Sequence, residues 1–265
     1  MVKLIVSDVD GTLVEDGTFE INPEYFEVIE KLRAKGILFV AASGRQFASI
    51  ASLFGPVKDK IAFISEGGAC IWKDSLPYVP RPVPYEYIRD IALDIKEIPG
   101  ADFMIGTPGY SLCPTEGTEM YRWLRDGYRF KIRSLGTWDI PAGFTFTKAS
   151  LYYPERVEEV ATESGYMEKW GDKLHLSMAG NMWLDGVMPG VNKASALEVI
   201  RKDLGISPDE TWAFGDNQND LEMMVSSGRS FAVSTAREEV REKASDVLGG
   251  NYSDDSVLGK IKELL

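Results

Sequence analysis

Two aspartates stand two residues apart, directly after an apolar run near the start of the chain, in the stretch LIVSDVDGTL. Side chains at i and i+2 of an extended backbone point to the same side, so Asp8 and Asp10 can face one site at the end of a buried strand. Gly11 and Thr12 follow, and they allow a sharp turn whose backbone N–H groups face an anion. A generic pair of this spacing is more often an acidic turn that ends a strand, but the full string is far more specific.

Two further stretches carry groups that can bind phosphate. Ser43 and Gly44 follow a second apolar run in VAASGRQ and open a helix, where a hydroxyl and backbone amides form a natural phosphate contact. Lys193 opens an amphipathic helix in PGVNKASAL, although the helix macrodipole favours lysine at the opposite end. Taken alone, the first stretch can be an ordinary turn and cap, and the second an ordinary solvated lysine.

A third apolar run ends in AFGDNQND, which carries Asp216, Asn219 and Asp220. Asp216 repeats the strand-end position of Asp8, whereas Asp220 is also a good N-terminal acid for the helix that follows. Carboxylates that converge on one pocket repel each other unless a cation shares them, and such hard oxygen ligands select Mg²⁺ or a similar ion. The single histidine, His175, excludes a histidine-based zinc site and is interpreted as an ordinary strand residue.

Short apolar runs alternate with helical patterns at both ends of the chain, which predicts βαβ units and a doubly wound parallel sheet. The runs are LIV, ILFVAA, IAFI, WAF and FAV, and none of them alternates as a half-buried strand would. Three prolines in YVPRPVPYEY suit a linker, and mixed strand-like and helical pieces follow. We therefore predict an α/β protein with a Rossmann-like core of residues 1–82 plus 184–265 and an inserted α+β domain at 83–183.

Composition restricts the classes of partner. The net charge of −12 argues against nucleic acid and anionic membrane surfaces as main partners. No stretch is long and apolar enough to span a bilayer, and no cleavable leader is recognisable. Cys70 and Cys113 are interpreted as reduced thiols of a cytoplasmic protein, with a single disulfide left open. We expect a monomer or a weak homo-oligomer.

Together these stretches resemble the motifs of haloacid dehalogenase superfamily phosphatases, of the Cof-like subfamily with a large subclass IIB α/β cap. DVDGT matches the family's first motif, ASGR the second, Lys193 the third and GDNQND the fourth, in that order. The resemblance covers most of the chain, although the cap matches in position and size more than in sequence. One departure is Gly67 in SEGGA, where relatives usually carry asparagine; it affects a local polar contact near the core–cap junction rather than catalysis.

The resemblance implies a Mg²⁺-dependent phosphatase of small phosphorylated metabolites, often sugar phosphates, that forms an aspartyl-phosphate intermediate. It implies that Asp8 is the nucleophile and Asp10 the general acid and base. The backbone carbonyl of Asp10 would help to hold Mg²⁺, and either Asp220 or Asn219 would complete the metal shell. The implied site is catalytic Asp8 and Asp10, phosphate-binding Ser43, Gly44, Lys193 and Asn219, and metal-binding Asp8, Asp10, Asp216 and Asp220.

Other functions fit parts of the same pattern. A sugar phosphomutase uses the same scaffold and nucleophile, and only product analysis separates the two activities. A phospho-accepting receiver module also combines acidic residues, a hydroxyl residue and a lysine on a doubly wound sheet, but it needs neither a second aspartate at i+2 nor a large inserted domain. A non-enzymatic phospholigand-binding protein could retain these motifs, although the intact set of acidic residues and lysine argues against it.

Overall fold

The chain folds into two separate sheets in a computed structural model that describes residues 1–265, and the apolar runs of the sequence form strands of the first of them. Buried strands account for every run that we interpreted as a strand of a parallel sheet. The strands are β1 (Leu4–Asp8), β2 (Leu38–Ala42), β3 (Ala62–Ser65), β4 (Cys70–Lys73), β5 (Leu76–Tyr78), β6 (Asp102–Thr107), β7 (Tyr110–Cys113), β8 (Ile132–Ser134), β9 (Lys148–Tyr152), β10 (His175–Ala179), β11 (Trp183–Val187), β12 (Thr211–Gly215), β13 (Arg229–Ala232) and β14 (Asp246–Val247).

Helices connect these strands. The α-helices are α1 (Glu24–Ala34), α2 (Phe47–Leu53), α3 (Tyr85–Lys96), α4 (Glu119–Arg122), α5 (Val157–Glu163), α6 (Tyr166–Gly171), α7 (Lys193–Leu204), α8 (Leu221–Val225), α9 (Glu238–Lys243) and α10 (Ser256–Lys262). A π-helical turn, Trp123–Gly127, continues α4. Short 3₁₀ segments lie at Gly55–Lys60, Glu66–Gly68, Pro208–Glu210, Gln218–Asp220 and Tyr252–Asp254. No helix combines the length and the apolarity that crossing a membrane requires.

The first sheet has the strand order β14-β13-β12-β1-β2-β3-β4-β5. The six strands from β14 to β3 are parallel, and β4 and β5 add an antiparallel hairpin at one edge. The order reverses at β1, since β2 and β3 lie on one side of it and β12 to β14 on the other. Ligands of open α/β sheets bind in the crevice beyond the carboxyl ends at such a reversal. The predicted α/β fold with a doubly wound parallel-sheet core is confirmed.

Burial explains why the strands of this sheet do not alternate. Every residue of β1 is buried, so each position but the last two carries an apolar side chain. Ser7 satisfies its hydroxyl by donating to the backbone carbonyl of Asp8, at 2.7 Å. Asp8 therefore ends a fully buried strand as a carboxylate with little access to water, which is a costly position that needs compensating groups.

The second sheet has the order β10-β11-β9-β6-β7-β8, antiparallel except for the parallel pair β7 and β8. It belongs to the inserted unit, Val79–Val191, whereas Met1–Tyr78 and Asn192–Leu265 form the core unit. One face packs against α3, whose Ile88, Ile91, Ala92 and Ile95 are fully buried. His175 is an exposed residue of the edge strand β10, as expected of an ordinary strand residue.

The unit boundaries lie at 79 and 191, whereas the sequence suggested 83 and 183. The difference at the second boundary arises because β11 runs from Trp183 to Val187 and pairs with both β9 and β10. Residues after 183 therefore continue the second sheet before the chain returns to the core unit at Asn192.

Asp102 of the inserted unit allows a test of how the ionisation of a buried carboxyl affects the stability of the fold. Burial raises the pKa of its carboxyl to about 6, against hydrogen bonds from the Phe103 N–H and the Thr118 hydroxyl. A carboxyl whose pKa is raised on folding weakens stability as it ionises, so the free energy of unfolding falls as pH rises from about 4 through about 6. Asp102→Asn should therefore raise the free energy of unfolding by about 1–2 kcal/mol at pH 8, after allowance for partial exposure.

Urea unfolding of Asp102→Asn and wild type at several pH values measures this effect. The stabilisation should stay constant between pH 8 and about pH 6 and then shrink as pH falls towards 4, where the wild-type carboxyl is protonated in the folded chain. A gain that is independent of pH would show that the substitution acts through packing rather than through ionisation.

Candidate active site

The residues singled out by the sequence meet at the carboxyl ends of three neighbouring strands. Asp8 ends β1, Ser43 follows β2, and Asp216 follows β12. These strands are parallel, and β1 pairs with both of the others, so their carboxyl ends lie at the same edge of the sheet. Lys193 reaches this edge from the first position of α7.

Lys193 joins two carboxylates inside the core unit. Its Nζ donates to Asp8 Oδ1 at 2.5 Å and to Asp220 Oδ1 at 2.6 Å. The whole residues are 1%, 5% and 0% exposed for Lys193, Asp8 and Asp220, so this ion pair is shielded from water. Lys193 is therefore a buried charged group with defined partners, and the alternative of a solvated lysine is wrong.

Asp220 is fixed by backbone groups as well as by the lysine. Its Oδ2 accepts the N–H groups of Asp216, at 3.1 Å, and Asn217, at 3.0 Å. The strand before it ends in Gly215, where a Cβ would lie 2.6 Å from the Cβ of Asp220. Glycine at that position therefore makes room for the Asp220 side chain to turn back towards the end of β12.

Asp216 is oriented by the loop that follows β1. Thr12 donates its hydroxyl to Asp216 Oδ1 at 2.7 Å. Gly11 has a φ of +83°, and a Cβ there would lie 2.6 Å from Asp216 Oδ2. Both the backbone conformation and the close approach thus require glycine in the DGT stretch.

Three carboxylates of this edge, those of Asp8, Asp216 and Asp220, offer ligand atoms that all lie within 4.8 Å of one another. Burial raises the pKa of Asp8 well above its ordinary value, and the negative charge of Asp220 raises it further. Burial also raises the pKa of Asp216. Lys193 supplies one positive charge to the cluster, and its pKa is raised because Asp220 and Asp8 outweigh the opposing effect of burial. The donors are hard oxygens with excess negative charge, so they fit Mg²⁺.

Asp10 lies next to this cluster but makes different contacts. The Arg45 guanidinium forms a bidentate pair with its carboxylate: Nε donates to Asp10 Oδ2 at 2.9 Å, and Nη2 donates to Asp10 Oδ1. Ser43 Oγ donates to Asp10 Oδ2 at 3.2 Å and accepts the Arg45 N–H at 3.0 Å. The Asp10 carboxylate is therefore held towards Ser43 and Arg45, and a metal contact by this residue would fall to its backbone carbonyl.

The remaining two predicted residues are at the surface. Gly44 is exposed, and a Cβ there would meet no atom within 4 Å. Asn219 is exposed and its side chain makes no hydrogen bond, whereas Asp220 is fully buried among the other carboxylates. Of the two candidates for completing the metal shell, Asp220 is thus the one that the structure brings into the acidic cluster.

Sequence reasoning did not assign roles to two residues of this site, Arg45 and the hydroxyl of Thr12. Arg45 is 6% exposed although it carries a full charge, and its Nη1 also donates to the Thr18 carbonyl at 2.8 Å. The sequence did hold a signal for Arg45, since ASGR places this cation directly after a strand that neighbours the strand ending in the two aspartates. The Thr12 hydroxyl could not be linked to Asp216 from sequence, because the two positions are 204 residues apart.

Comparison with known proteins agrees with this fold. Residues 5–261 match the family model of the haloacid dehalogenase-like hydrolases, and the chain belongs to this family as a Cof-like phosphatase, a phosphoric monoester hydrolase. The chain is 25% identical over 264 residues to the Escherichia coli (strain K12) 5-amino-6-(5-phospho-D-ribitylamino)uracil phosphatase YbjI, covering 100% of this chain and 96% of that protein. The resemblance seen in the sequence motifs is thereby confirmed.

Solved structures show the same fold. A protein from Eubacterium rectale is 35% identical and superposes with a TM-score of 0.93, covering 100% of this chain and 99% of the other. The subclass IIB sugar phosphatase BT4131 superposes with a TM-score of 0.77 at 21% identity, covering 99% of each chain.

Proposed function

We propose that this phosphatase uses Mg²⁺ to hydrolyse small phosphorylated metabolites, sugar phosphates in particular, with Asp8 as the nucleophile. The observation that carries the proposal is the position of Asp8, which ends β1 in contact with the Lys193 ammonium and within the acidic cluster formed with Asp216 and Asp220. A carboxylate held beside a buried cation is suited to attack a phosphate ester, whose charge must be offset during transfer.

The first half of the reaction transfers the phosphoryl group to the protein. Asp8 forms a bond to phosphorus while the bond to the leaving oxygen breaks, and Asp10 donates a proton to that oxygen. Lys193 and Ser43 would hold phosphoryl oxygens, with the backbone at Gly44 close to the same group. Asp8, Asp216 and Asp220 would hold Mg²⁺, together with the Asp10 backbone carbonyl, and the ion would supply positive charge to the phosphoryl group.

The second half returns Asp8 to its free form. Asp10 removes a proton from a water molecule, the water oxygen bonds to phosphorus, and the bond between phosphorus and Asp8 breaks to release inorganic phosphate. The hydrogen bonds from Arg45 and Ser43 to Asp10 support its role as general acid and base, because both groups orient its carboxylate beside the end of β1. Asn219 stays a candidate for phosphate binding, because its exposed side chain makes no hydrogen bond within the chain.

The substrate class is proposed from the relatives and from the inserted unit. One relative acts on a phosphorylated ribitylaminouracil, and a structural neighbour is described as a sugar phosphatase. The inserted unit carries half-buried aromatic side chains, among them Trp123, Tyr128 and Phe130, whose faces suit sugar rings and planar heterocycles. We propose that this unit selects the leaving group, which stays a prediction until variants of it are assayed.

Metal removal provides the direct test. Purified protein should release phosphate from an aryl phosphate and from part of a panel of sugar phosphates, and a chelator should lower the rate by about 100-fold. Restoring Mg²⁺ should restore the rate, and Ca²⁺ at the same concentration serves as a control for non-specific charge effects. Equal rates with and without chelator would contradict the metal-dependent mechanism.

The same assay separates hydrolysis from phosphoryl transfer. ³¹P NMR of the products should show inorganic phosphate as the only new signal when a sugar monophosphate is turned over. A sugar phosphate isomer formed in place of free phosphate would instead identify a phosphomutase.

A further inference from the structure

The loop Glu66–Gly68, which follows β3, has an unusual backbone. Glu66, Gly67 and Gly68 have φ values of +52°, +66° and +113°, three successive residues in the region that L side chains rarely adopt. Gly67 and Gly68 adopt such values without strain, but Glu66 does not. A strained residue persists only where surrounding contacts over-determine its conformation, and such residues concentrate at functional positions. The loop lies at the carboxyl end of β3, beside the strand end that carries Ser43.

Two backbone hydrogen bonds tie this loop to the phosphate-binding stretch. The Glu66 N–H donates to the Arg45 carbonyl at 2.9 Å, and the Gly67 N–H donates to the Ser43 carbonyl at 3.0 Å. Because these are backbone contacts, they fix the path of the loop relative to Ser43 whatever side chains it carries. Glycine at position 67 therefore does not weaken this connection.

Gly68 forms the opposite end of the connection, against the start of α7. A Cβ at position 68 would lie 2.1 Å from the backbone oxygen of Asn192 and 2.3 Å from its carbonyl carbon. That carbon is bonded to the nitrogen of Lys193, so any side chain at 68 would displace the peptide group on which Lys193 begins. Real Cβ atoms do not approach backbone atoms so closely, and a backbone neighbour cannot move away as a flexible side chain can.

The Asn192 carbonyl has little freedom to yield. It accepts the Ala196 N–H at 3.2 Å and the Ser195 hydroxyl at 2.9 Å, as the first hydrogen bonds of α7. The Asn192 side chain in turn accepts the Ser195 N–H at 2.7 Å, which completes the cap of the helix. A shift of this carbonyl would therefore move the first turn of the helix, and with it the backbone from which the Lys193 ammonium reaches Asp8 and Asp220.

We propose that Gly68 is a positioning residue for Lys193: the loop Glu66–Gly68 sets the distance between the lysine and the Ser43 strand end through the contact of Gly68 with Asn192. The inference rests on the proposed function, in which Lys193 and Ser43 hold the same phosphoryl group. Misplacement of a catalytic group by about 1 Å can cost about 100-fold in rate. Gly68→Ala should accordingly lower kcat on an aryl phosphate by about 100-fold, with a smaller change in KM.

Gly67→Ala is the matched control. Gly67 also has a positive φ, but a Cβ there would meet no atom within 4 Å. The control thus places a side chain at a left-handed position of the same loop without touching Asn192, although its φ of +66° strains alanine less than the +113° of Gly68 does. It should lower kcat by less than about 5-fold. Equal kcat values for the two variants would overturn the proposal.

A double-mutant cycle distinguishes positioning of Lys193 from a general structural effect. In a Lys193→Gln background, adding Gly68→Ala should change the residual kcat by less than about 3-fold, because the group that Gly68 positions is already absent. A loss as large as that in the wild-type background would show that Gly68 acts elsewhere and would overturn the proposal.

A crystal structure of Gly68→Ala gives a readout that does not depend on activity. It should show the Lys193 ammonium displaced from Asp8, and an unchanged ion pair would overturn the inference even if no substrate were turned over. Absence of phosphate release by wild type would, in contrast, count against the proposed function alone.

If Gly68→Ala does not fold, Gly68→Ala/Asn192→Gly should fold, since glycine at 192 lets the carbonyl turn away. Its kcat should stay low, and a kcat equal to that of Asn192→Gly would again contradict the proposal.

Discussion

Asp8→Asn should lower phosphate release by at least about 10⁴-fold, because an amide oxygen cannot attack phosphorus as a carboxylate does. The measurement is kcat on an aryl phosphate and on the best sugar phosphate, at saturating Mg²⁺. Asp203→Asn is the control. Asp203 is an exposed residue of α7 that pairs with Lys73, and its substitution removes the same charge far from the reacting atoms. The control should retain wild-type kcat.

Loss of activity in Asp8→Asn should not come from loss of the fold. Burial and the neighbouring Asp220 raise the pKa of Asp8, which means that the folded chain disfavours its ionised form. A neutral amide of the same shape removes that unfavourable term at pH 7, so the melting temperature should stay equal or rise. If Asp8→Asn hydrolysed substrate at the wild-type rate, the assignment of Asp8 as nucleophile would be wrong.

Lys193→Met should lower kcat by about 10³-fold, because it removes the charge that offsets the transferring phosphoryl group in a buried site. Methionine has a similar length and fills the channel occupied by the lysine chain. Arg201→Met is the matched control, since Arg201 lies on the same helix, is 4% exposed, and pairs with Glu198 and the Ser226 carbonyl instead of the acidic cluster. Both variants should lose stability, but only Lys193→Met should lose most of its turnover.

The stability of Lys193→Met should depend on pH in a characteristic way. Removing the ammonium leaves the buried carboxylates of Asp8 and Asp220 without their cation, which typically costs about 3–5 kcal/mol. Protonation relieves this cost, because the Asp8 pKa is already raised and would rise further without the lysine. The deficit against wild type, measured by urea unfolding in chelator, should therefore be largest near pH 8 and shrink as pH falls, and Mg²⁺ should reduce it at pH 8. A deficit that is constant with pH would count against electrostatic repulsion as its cause.

The sequence predicted the carboxyl-end cluster well because its parts follow from local rules. Asp8, Ser43 and Asp216 each come after a short, non-alternating apolar run, and parallel strands place such positions on one edge of a sheet. Lys193 was identifiable as unusual because it sits at the helix end that the macrodipole disfavours. These inferences require only the order of the strands and not the packing of particular side chains.

The contacts that orient the cluster could not be derived in the same way. The pairing of Arg45 with Asp10 and the approach of Gly68 to Asn192 depend on how two loops meet. In the sequence, Gly68 looks like any other turn residue. The end of the inserted unit was also placed too early. Residues 183–187 form β11, and the pairing of this strand with β9, which decides the unit it belongs to, is a long-range property.

The pairing of β1 with β12 also affects how the chain folds during synthesis. Leu4 of β1 lies opposite Thr211, so one edge of the first strand remains unpaired until most of the chain has been made. The whole inserted unit emerges from the ribosome in that interval and can fold on its own sheet before the core closes. The N-terminal part of the core must meanwhile avoid aggregation with an apolar strand edge exposed. The acidic cluster therefore forms late, when Asp216 and Asp220 arrive beside an Asp8 that was synthesised near the very start.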